Sequence, residues 1–439
     1  MSSSPARRVV ITGMGLISPL GNTKELLWDA LSAGRSGVGP LQCLPTDHLP
    51  ISHGAEAREF HGNADDFGAL EPDQKKSIRK GLKVMCREIQ MGVAAAQRAF
   101  QDAGLKPGAY DSDRTGVVFG SDYILTDPHE FTDGVRSCLD ADKHFEFDRW
   151  AQDGLPKVTP LWLLKYLPNM PASHIAIYND LRGPSNSITL REATGNLAVS
   201  EAYCTIVRGQ ADTILAGATG TRLHPLRTVH VALQEELAFG PESPEQLSRP
   251  FDLHRHGMVL GEGAAAVVVE ELEQALRRGA TIWGEIVGFG SSAVLDRQGT
   301  ANINQALQNV MRQALHKAQL SPDEIGHVHA HGLSTRQGDQ AEASAIQAIF
   351  GGRARPVPVT ALKSYQGNLG AGAGVAELIA SVLSLRSGVL FPILNYETPD
   401  PACPVAAVRS RDVPAGNSFL NVNVTPQGQA SAILVRHFS

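Results

Sequence analysis

A short strand that turns abruptly into a small-residue helix is the feature of this sequence that most restricts its fold. Ser187–Leu190 is typical of a strand, and the small residues of Ala193–Arg208 predict a helix that ends at Gly209. The corner between them is formed by Arg191 and Glu192. A side chain at such a corner lies at a helix N-terminus, where amide donors and the helix dipole favour negative charge. Enzymes place nucleophiles at corners of this kind, and here the residue is Glu192.

The length and charge of the chain limit the classes of protein to which it can belong. At 439 residues it is too long for one small core and suits two domains or two fused half-domains. The net charge of -6 gives no support for nucleic-acid binding driven by overall charge. No apolar run reaches the roughly 18 residues that a membrane helix needs. The N-terminal segment enters a strand at Arg8 without a cleavable apolar region, so we expect a cytoplasmic protein.

The cysteines of the chain predict reduced thiols. They are scattered, odd in number and without CxxC spacing, which argues against a disulfide framework and against a zinc site. They are Cys43, Cys86, Cys138, Cys204 and Cys403.

Strand-like and helix-like segments alternate along the chain in two comparable halves. The first half includes a long helix predicted over Asp73–Ala103, a helix over Pro160–Leu167 and a strand pair within Gly257–Glu270. Such alternation predicts an α/β protein whose mostly parallel sheets are sandwiched by helices. Residues 122–157, rich in charges and aromatics, predict an excursion from this core.

Three histidines lie on one face of a predicted strand. His327, His329 and His331 alternate along it, and side chains of a strand repeat every second residue. This pattern can chelate zinc or iron, which leaves a metal-dependent hydrolase as one interpretation. The other interpretation is one functional histidine at the strand end, with two histidines that pack or face solvent. No partner set of acidic residues and histidines supports the metal, so we expect none.

Two further segments carry polar groups suited to catalysis. His331 ends its strand and could donate a hydrogen bond to a carbonyl oxygen or act as an acid or base. Lys363 and Asn368 lie on a loop that enters a small-residue helix. Each segment alone is common in proteins, but the Glu192 corner, His331 and the loop with Lys363 and Asn368 follow one another in an order that a known family also shows.

The sequence resembles the β-ketoacyl-(acyl carrier protein) synthases of the elongating type, which have the thiolase fold. The resemblance implies two similar halves forming a five-layered α/β/α/β/α body, normally a dimer, with halves at residues 6–270 and 271–438. It covers nearly the whole chain through these segments in family order: RRVVITGMGLISPLGN, RTGVVFGS, LPNMPASHIAI, LRGP, ADTILAGAT, SRPFDLHRHGMVLGEGAAAVVVEELEQALRRGA, HAHGLSTRQGD and KSYQGNLGAGAGVAE.

The condensing residues of this family are only partly present. The resemblance implies a cysteine at the corner, where this chain has Glu192, and two histidines that assist decarboxylation of the malonyl group. His331 matches the first histidine, whereas Asn368 replaces the second; Lys363 is retained.

The resemblance also places substrate contacts that this chain has altered. The glycine-phenylalanine gate loop of the family is replaced by residues 424–427, which include Thr425. Asn421 corresponds to the asparagine that precedes the gate, and Ser334 and Thr335 follow the first histidine. We expect these four residues to be substrate contacts if the site binds substrate.

These departures make ordinary condensation doubtful. A carboxylate is a poor acceptor for a thioester acyl group, and a Glu192 anion, reinforced by His331⁺ or Lys363⁺ within reach, would repel a malonyl carboxylate. One interpretation is a non-condensing partner subunit similar to a chain length factor. Another is decarboxylation of malonyl carrier protein or acyl-thioester hydrolysis with Glu192 and His331.

The resemblance also implies the partners. They are an acyl carrier protein, whose phosphopantetheine serves as substrate arm without any resident cofactor, and a second subunit in a homodimer or in a heterodimer with a competent synthase. The basic segment Lys75–Arg87 could face the acidic carrier protein. The excursion at residues 122–157 lies where the family builds part of its dimer contact.

Overall fold

The computed structural model describes residues 7–438, so residue 6, the first of the predicted N-terminal half, lies outside them. Within this range eleven strands form one mixed sheet in the order β11-β10-β9-β12-β13-β8-β1-β7-β6-β4-β5, and β2 pairs with β3 separately. The strands are β1 (Val9–Ile17), β2 (Gly39–Pro40), β3 (His53–Gly54), β4 (Thr115–Ser121), β5 (Ser185–Ile188), β6 (Thr213–Thr221), β7 (Glu262–Glu271), β8 (Gly284–Ala293), β9 (His327–His329), β10 (Pro358–Thr360), β11 (Ala406–Ala407), β12 (Ser418–Val424) and β13 (Gln429–Arg436).

The two halves of the sheet repeat one topology. The N-terminal half runs β1-β7-β6-β4-β5 and the C-terminal half runs β8-β13-β12-β9-β10, with β11 added at its edge. In each half the first two pairings are antiparallel and the next two are parallel. The halves meet where β1 pairs with β8. The repeated order confirms the predicted fold of two similar halves. The prediction of mostly parallel sheets is wrong, because half of the strand pairings in this sheet are antiparallel.

The helices form three layers around the two halves of the sheet. Helices α6 and α12 lie between the halves, while α3 and α5 cover the outside of the first half and α9 and α10 that of the second. The helices are α1 (Lys24–Ala33), α2 (Pro72–Gly81), α3 (Arg87–Asp102), α4 (Thr132–Ser137), α5 (Met170–Asn179), α6 (Thr194–Val207), α7 (Pro225–Gln234), α8 (Leu272–Arg277), α9 (Ile303–Ala318), α10 (Arg336–Phe350), α11 (Lys363–Gln366) and α12 (Ala373–Ser387). The result is the predicted thiolase-like α/β body.

Three local predictions are wrong. The helix predicted over Asp73–Ala103 is two helices, α2 and α3, because the chain is extended at Met85 and Cys86. Only one strand, β7, lies in Gly257–Glu270. The segment Pro160–Leu167 forms just a short 3₁₀ turn at Trp162–Lys165.

Among residues 7–438, no helix combines the length and the apolar character needed to cross a membrane. Both faces of the sheet pack against a buried apolar core. The central helices α6 and α12 lie within this core.

Candidate functional site

The predicted corner is present and its backbone is strained. Between β5 and α6 the chain makes a 3₁₀ turn over Arg191–Ala193, and Arg191 adopts a positive φ of 49° that only glycine adopts easily. The Thr194 hydroxyl accepts a hydrogen bond of 2.8 Å from the amide of Leu190 and closes the turn. This geometry places Glu192 inside the protein, with 0% of its side chain surface exposed.

Two residues hydrogen-bond to one oxygen of the Glu192 carboxylate. Oε1 accepts from Nη2 of Arg222, a side chain with 1% exposure, and from Nδ2 of Asn368 at 3.0 Å. The other oxygen, Oε2, lies 3.5 Å from Nε of Arg191. Arg191 is held in turn by Glu235, which accepts from its Nη2 at 2.5 Å.

These partners differ from those that the sequence predicted. We expected helix amides, His331⁺ or Lys363⁺ to hold the Glu192 anion, but neither His331 nor Lys363 forms an ion pair or hydrogen bond with it. Burial by itself would raise the pKa of Glu192, but the charges of Arg222 and Arg191 outweigh burial and hold this pKa far below its usual range. The Glu192 carboxylate in turn raises the pKa of Arg222. The corner therefore holds a permanent buried ion pair.

Arg222 belongs to a row of ionisable side chains that leads away from the corner. Asp122 Oδ2 lies 3.5 Å from Nη2 of Arg222 and 3.5 Å from Nη1 of Arg227. Nη1 of Arg227 lies 3.9 Å from Oε2 of Glu88. We call Glu192, Arg222, Asp122, Arg227 and Glu88 the charge row; each is at most 2% exposed.

Part of this row could have been predicted from the sequence, because Asp122 and Arg222 each follow a predicted strand. Asp122 directly follows β4 and Arg222 directly follows β6. These neighbouring strands are parallel, so residues after their carboxyl ends meet at one edge of the sheet. Glu88, by contrast, lies among apolar residues on α3, where burial raises its pKa to about 8.

Asn368 is fixed both at its backbone and at its side chain. Its amide nitrogen donates to the carbonyl of Val259 at 2.8 Å, and its carbonyl accepts from Gly261 at 3.0 Å. Its side-chain Oδ1 accepts from the amide of Gly370 at 3.0 Å, so that Nδ2 faces the Glu192 carboxylate. The residue in the second-histidine position therefore acts as a donor to Glu192.

His331 and Lys363 belong to a second buried cluster. Lys363 Nζ lies 3.3 Å from Nδ1 of His331 and is ion-paired with Glu377. Asn423 completes the cluster, since its Oδ1 lies 3.1 Å from His331 Nδ1 and its Nδ2 donates to Glu377 at 2.8 Å. Burial, helped by the charge of Lys363, lowers the pKa of His331 to about 3, so this histidine is neutral at pH 7.

The gate position is occupied by a tight hairpin between β12 and β13. The amide of Thr425 donates to the carbonyl of Gln429 at 2.8 Å, and its hydroxyl donates to the side chain of Gln429 at 2.6 Å. Asn421 donates to Asn196 of α6 at 3.0 Å and to Gly374 of α12 at 2.7 Å. Thr425 and Asn421 are thus hydrogen-bonded to other residues and form no hydrogen bond with Glu192.

Ser334 and Thr335 also make internal contacts. The hydroxyl of buried Ser334 accepts from the amide of Arg249 at 3.0 Å, and the carbonyl of Thr335 accepts from Arg255 at 3.2 Å. The structure therefore joins Glu192 to Asn368, and His331 to Lys363, but leaves the four predicted substrate contacts outside both groups.

The strand histidines are not arranged as a metal-binding group, and two of them share the hydroxyl of Ser381. His327 is hydrogen-bonded through Nδ1 to the carbonyl of Ala415 at 2.8 Å and through Nε2 to Ser381 at 3.1 Å. His329 contacts Ser381 through Nδ1 at 2.7 Å and accepts from the amide of Leu362 through Nε2. Within residues 7–438 the only acidic, cysteine or histidine group with metal-like spacing is an exposed turn at residues 140–144.

A cavity of about 620 Å³ opens near the far end of the charge row. Its walls include the apolar side chains of Leu44, Leu125 and Leu223, and Glu88 and Arg227 also line it. Glu192, Arg222 and Asp122 do not line it.

Comparisons with known proteins identify the family. The Beta-ketoacyl synthase N-terminal domain matches residues 6–275 and the C-terminal domain matches residues 283–397. The chain is 36% identical over 398 residues to 3-oxoacyl-[acyl-carrier-protein] synthase 2 of Coxiella burnetii, covering 90% of each protein. The chain belongs to the β-ketoacyl synthase family.

Two solved structures of synthase assemblies have the same fold. The ishigamide ketosynthase/chain length factor is 26% identical with a TM-score of 0.83, and the match covers 99% of this chain and 100% of that one. The AntDE ketosynthase, solved with its type II polyketide synthase acyl-carrier protein AntF, is 26% identical with a TM-score of 0.81 and the same coverage.

Proposed function

We propose that this protein is a non-condensing β-ketoacyl synthase homologue that serves as the partner subunit of a competent synthase, in the manner of a chain length factor, in fatty acid or polyketide-type biosynthesis. The observation that carries the proposal is the buried Glu192–Arg222 ion pair at the nucleophile position. A carboxylate locked in this pair cannot accept an acyl group as a cysteine thiolate does.

The same ion pair argues against catalysis by Glu192 as a base. An efficient general base has a pKa near the working pH, whereas Arg222 and Arg191 hold the pKa of Glu192 far below it. His331, which would assist decarboxylation or hydrolysis, is hydrogen-bonded within the Lys363 cluster and not to Glu192. The geometry therefore favours neither a malonyl decarboxylase nor an acyl-thioester hydrolase.

An unpaired sheet edge and an apolar surface suit a partner subunit of the same family. Within the described range, residues 7–438, strand β5 ends the sheet and pairs only with β4. Helix α7 presents Leu226, Val229 and Leu233 on one face, and Leu233 is 80% exposed. Phe147, in the excursion, is 75% exposed. Exposed edges and contiguous apolar patches are typical of subunit contacts.

A basic surface suits an acyl carrier protein, which would present its phosphopantetheine arm to the assembled pair. Lys76, Arg79, Lys80 and Lys83 are exposed on α2 and the turn that follows it. Arg87, included in the predicted basic segment, instead points inward and forms a bidentate ion pair with Glu262. The carrier-facing surface is therefore shorter than the sequence suggested.

Reconstitution tests the proposal. The chain would be purified alone and co-expressed with cysteine-bearing synthases of its source organism, and free thiol and carbon dioxide would be followed with malonyl- and acyl-carrier protein. We expect product only from the pair. Leu233→Glu on α7 should abolish pairing, whereas Leu276→Glu, which alters a half-exposed leucine on α8, should not. Turnover by the lone chain that disappears in Glu192→Ala would contradict the proposal.

A further inference from the structure

The charge row lies between the corner and the cavity in a fixed spatial order. Glu88 and Arg227 form part of the cavity wall. Behind them lies Asp122, then Arg222, and finally Glu192, with each neighbouring pair linked by contacts of at most 3.9 Å. Because all five side chains are buried, the row is a wall and not part of a solvent channel.

Arg222 is the member of this wall that lies next to Glu192. Its Nη2 atom contacts carboxylates on both sides, those of Glu192 and Asp122. The loop after Asn368 closes over the guanidinium at Gly370, where an added Cβ would lie only 3.1 Å from Nε of Arg222. Gly370 also has a positive φ of 63°, so both space and backbone conformation favour glycine there. The loop and the two carboxylates thus enclose the Arg222 guanidinium beside Glu192.

We propose that Arg222 closes the corner, so that the corner and the cavity are separate compartments. An apolar chain that enters the cavity meets Arg227 and Glu88 and does not reach Glu192. Arg222 is thus a positioning residue, and no sequence motif predicted it. Restoring cysteine at position 192 alone should therefore not restore acyl loading, since Arg222 remains in place.

Thiol alkylation tests the closure directly. Glu192→Cys and the double variant Glu192→Cys with Arg222→Ala would be treated with iodoacetamide, and modification of residue 192 would be followed by peptide mass spectrometry. Each rate is compared with the rate of the same variant unfolded in urea. We expect Glu192→Cys to react at least about 100-fold more slowly folded than unfolded, and the double variant to react at least about tenfold faster than Glu192→Cys.

Loss of the Arg222 charge and opening of the corner would change the alkylation rate in opposite directions, so the measured rate distinguishes the two effects. A neighbouring arginine lowers a thiol pKa and increases the thiolate fraction, so removing Arg222 from an already accessible site would slow alkylation. A faster reaction therefore reports opening. Glu192→Cys reacting as fast as the double variant would overturn the proposal, and so would equal protection of both.

A matched arginine elsewhere controls for general loosening. Arg98 is half-buried, and its guanidinium donates to the carbonyl of Asp66, away from the corner. Arg98→Ala added to Glu192→Cys should leave the alkylation rate unchanged, and an equal increase would overturn the proposal. If the Arg222→Ala protein does not fold, Arg222→Met replaces it in the same comparison. No partner synthase is used, so failure here is distinguishable from failure of the proposed function.

Discussion

Replacing Arg222 should destabilise the fold through the charges that it leaves behind. In Arg222→Met, the Glu192 carboxylate keeps Asn368 and the more distant Arg191, and Asp122 keeps Arg227. Removing one partner of a buried ion pair costs about 3–5 kcal/mol, because the other charge stays buried and uncompensated. Replacing both partners by neutral groups of similar volume can be nearly neutral. The double variant Glu192→Gln with Arg222→Met should therefore recover most of the loss.

Thermal unfolding converts this difference into a measurable shift. At about 2.1 cal/mol/K per residue, the 439-residue chain has an unfolding entropy of about 0.9 kcal/mol/K, if it unfolds as one unit. A loss of about 3–5 kcal/mol then lowers Tm by roughly 3–5 °C. Scanning calorimetry at pH 7 would compare the wild type, both single variants and the double variant.

The pH dependence of the Arg222→Met defect checks its cause. Because the folded pKa of Glu192 lies below its unfolded value of about 4.3, the ion pair contributes fully above that pH and its contribution declines only below it. The defect should be larger at pH 7 than at pH 4, because without Arg222 the buried Glu192 carboxyl takes up a proton at a higher pH than it does in the wild type. A double variant that melts as low as Arg222→Met, or a single variant that melts like the wild type, would refute the reasoning.

Three further outcomes follow from other buried groups. In the folded protein Glu88, whose pKa is raised to about 8, keeps a proton that the unfolded chain loses above about pH 4.5. Stability therefore falls as the pH rises from about 4.5 to 8, and Glu88→Gln should flatten the Tm–pH curve in this range. His331, with its pKa lowered to about 3, has the opposite effect, and His331→Gln should reduce the loss of stability as pH falls from about 6.5 to 3. Asn421→Ala removes the bridge between α6 and α12 and should cost about 1–3 kcal/mol by urea unfolding.

Local sequence patterns were sufficient to predict the corner and the two repeated halves of the fold. The strand, the abrupt turn and the small-residue helix around Glu192 depend on neighbouring residues, and the structure has them within two or three residues of the predicted bounds. The alternation of strands and helices likewise predicted the two halves, because its periodicity is local. The same method failed at Met85 and Cys86, where tertiary packing turns the chain inside an otherwise helical pattern.

The electrostatics of the site could not be predicted in the same way. Arg222 and Asp122 are 100 positions apart in the sequence, and their proximity follows from the parallel pairing of β4 and β6. Arg87 likewise belongs to a basic segment in the sequence but pairs inward with Glu262. A charge pattern in a sequence does not state which charges face each other, so the counter-ion of Glu192 was assigned to the wrong residues.

The altered residues at the corner depend on one another. A buried carboxylate needs a cation, which Arg222 supplies, and it needs hydrogen-bond donors, which the oriented amide of Asn368 supplies. A histidine restored at position 368 would replace this donor and add a titratable group beside two existing arginines. We therefore expect Asn368→His alone to gain no acyl-transfer activity and to lower Tm. Only a triple variant, with Glu192→Cys, Asn368→His and a neutral residue in place of Arg222, removes the matched charges and restores the thiol and the imidazole. Any acyl loading should therefore first appear in this triple variant.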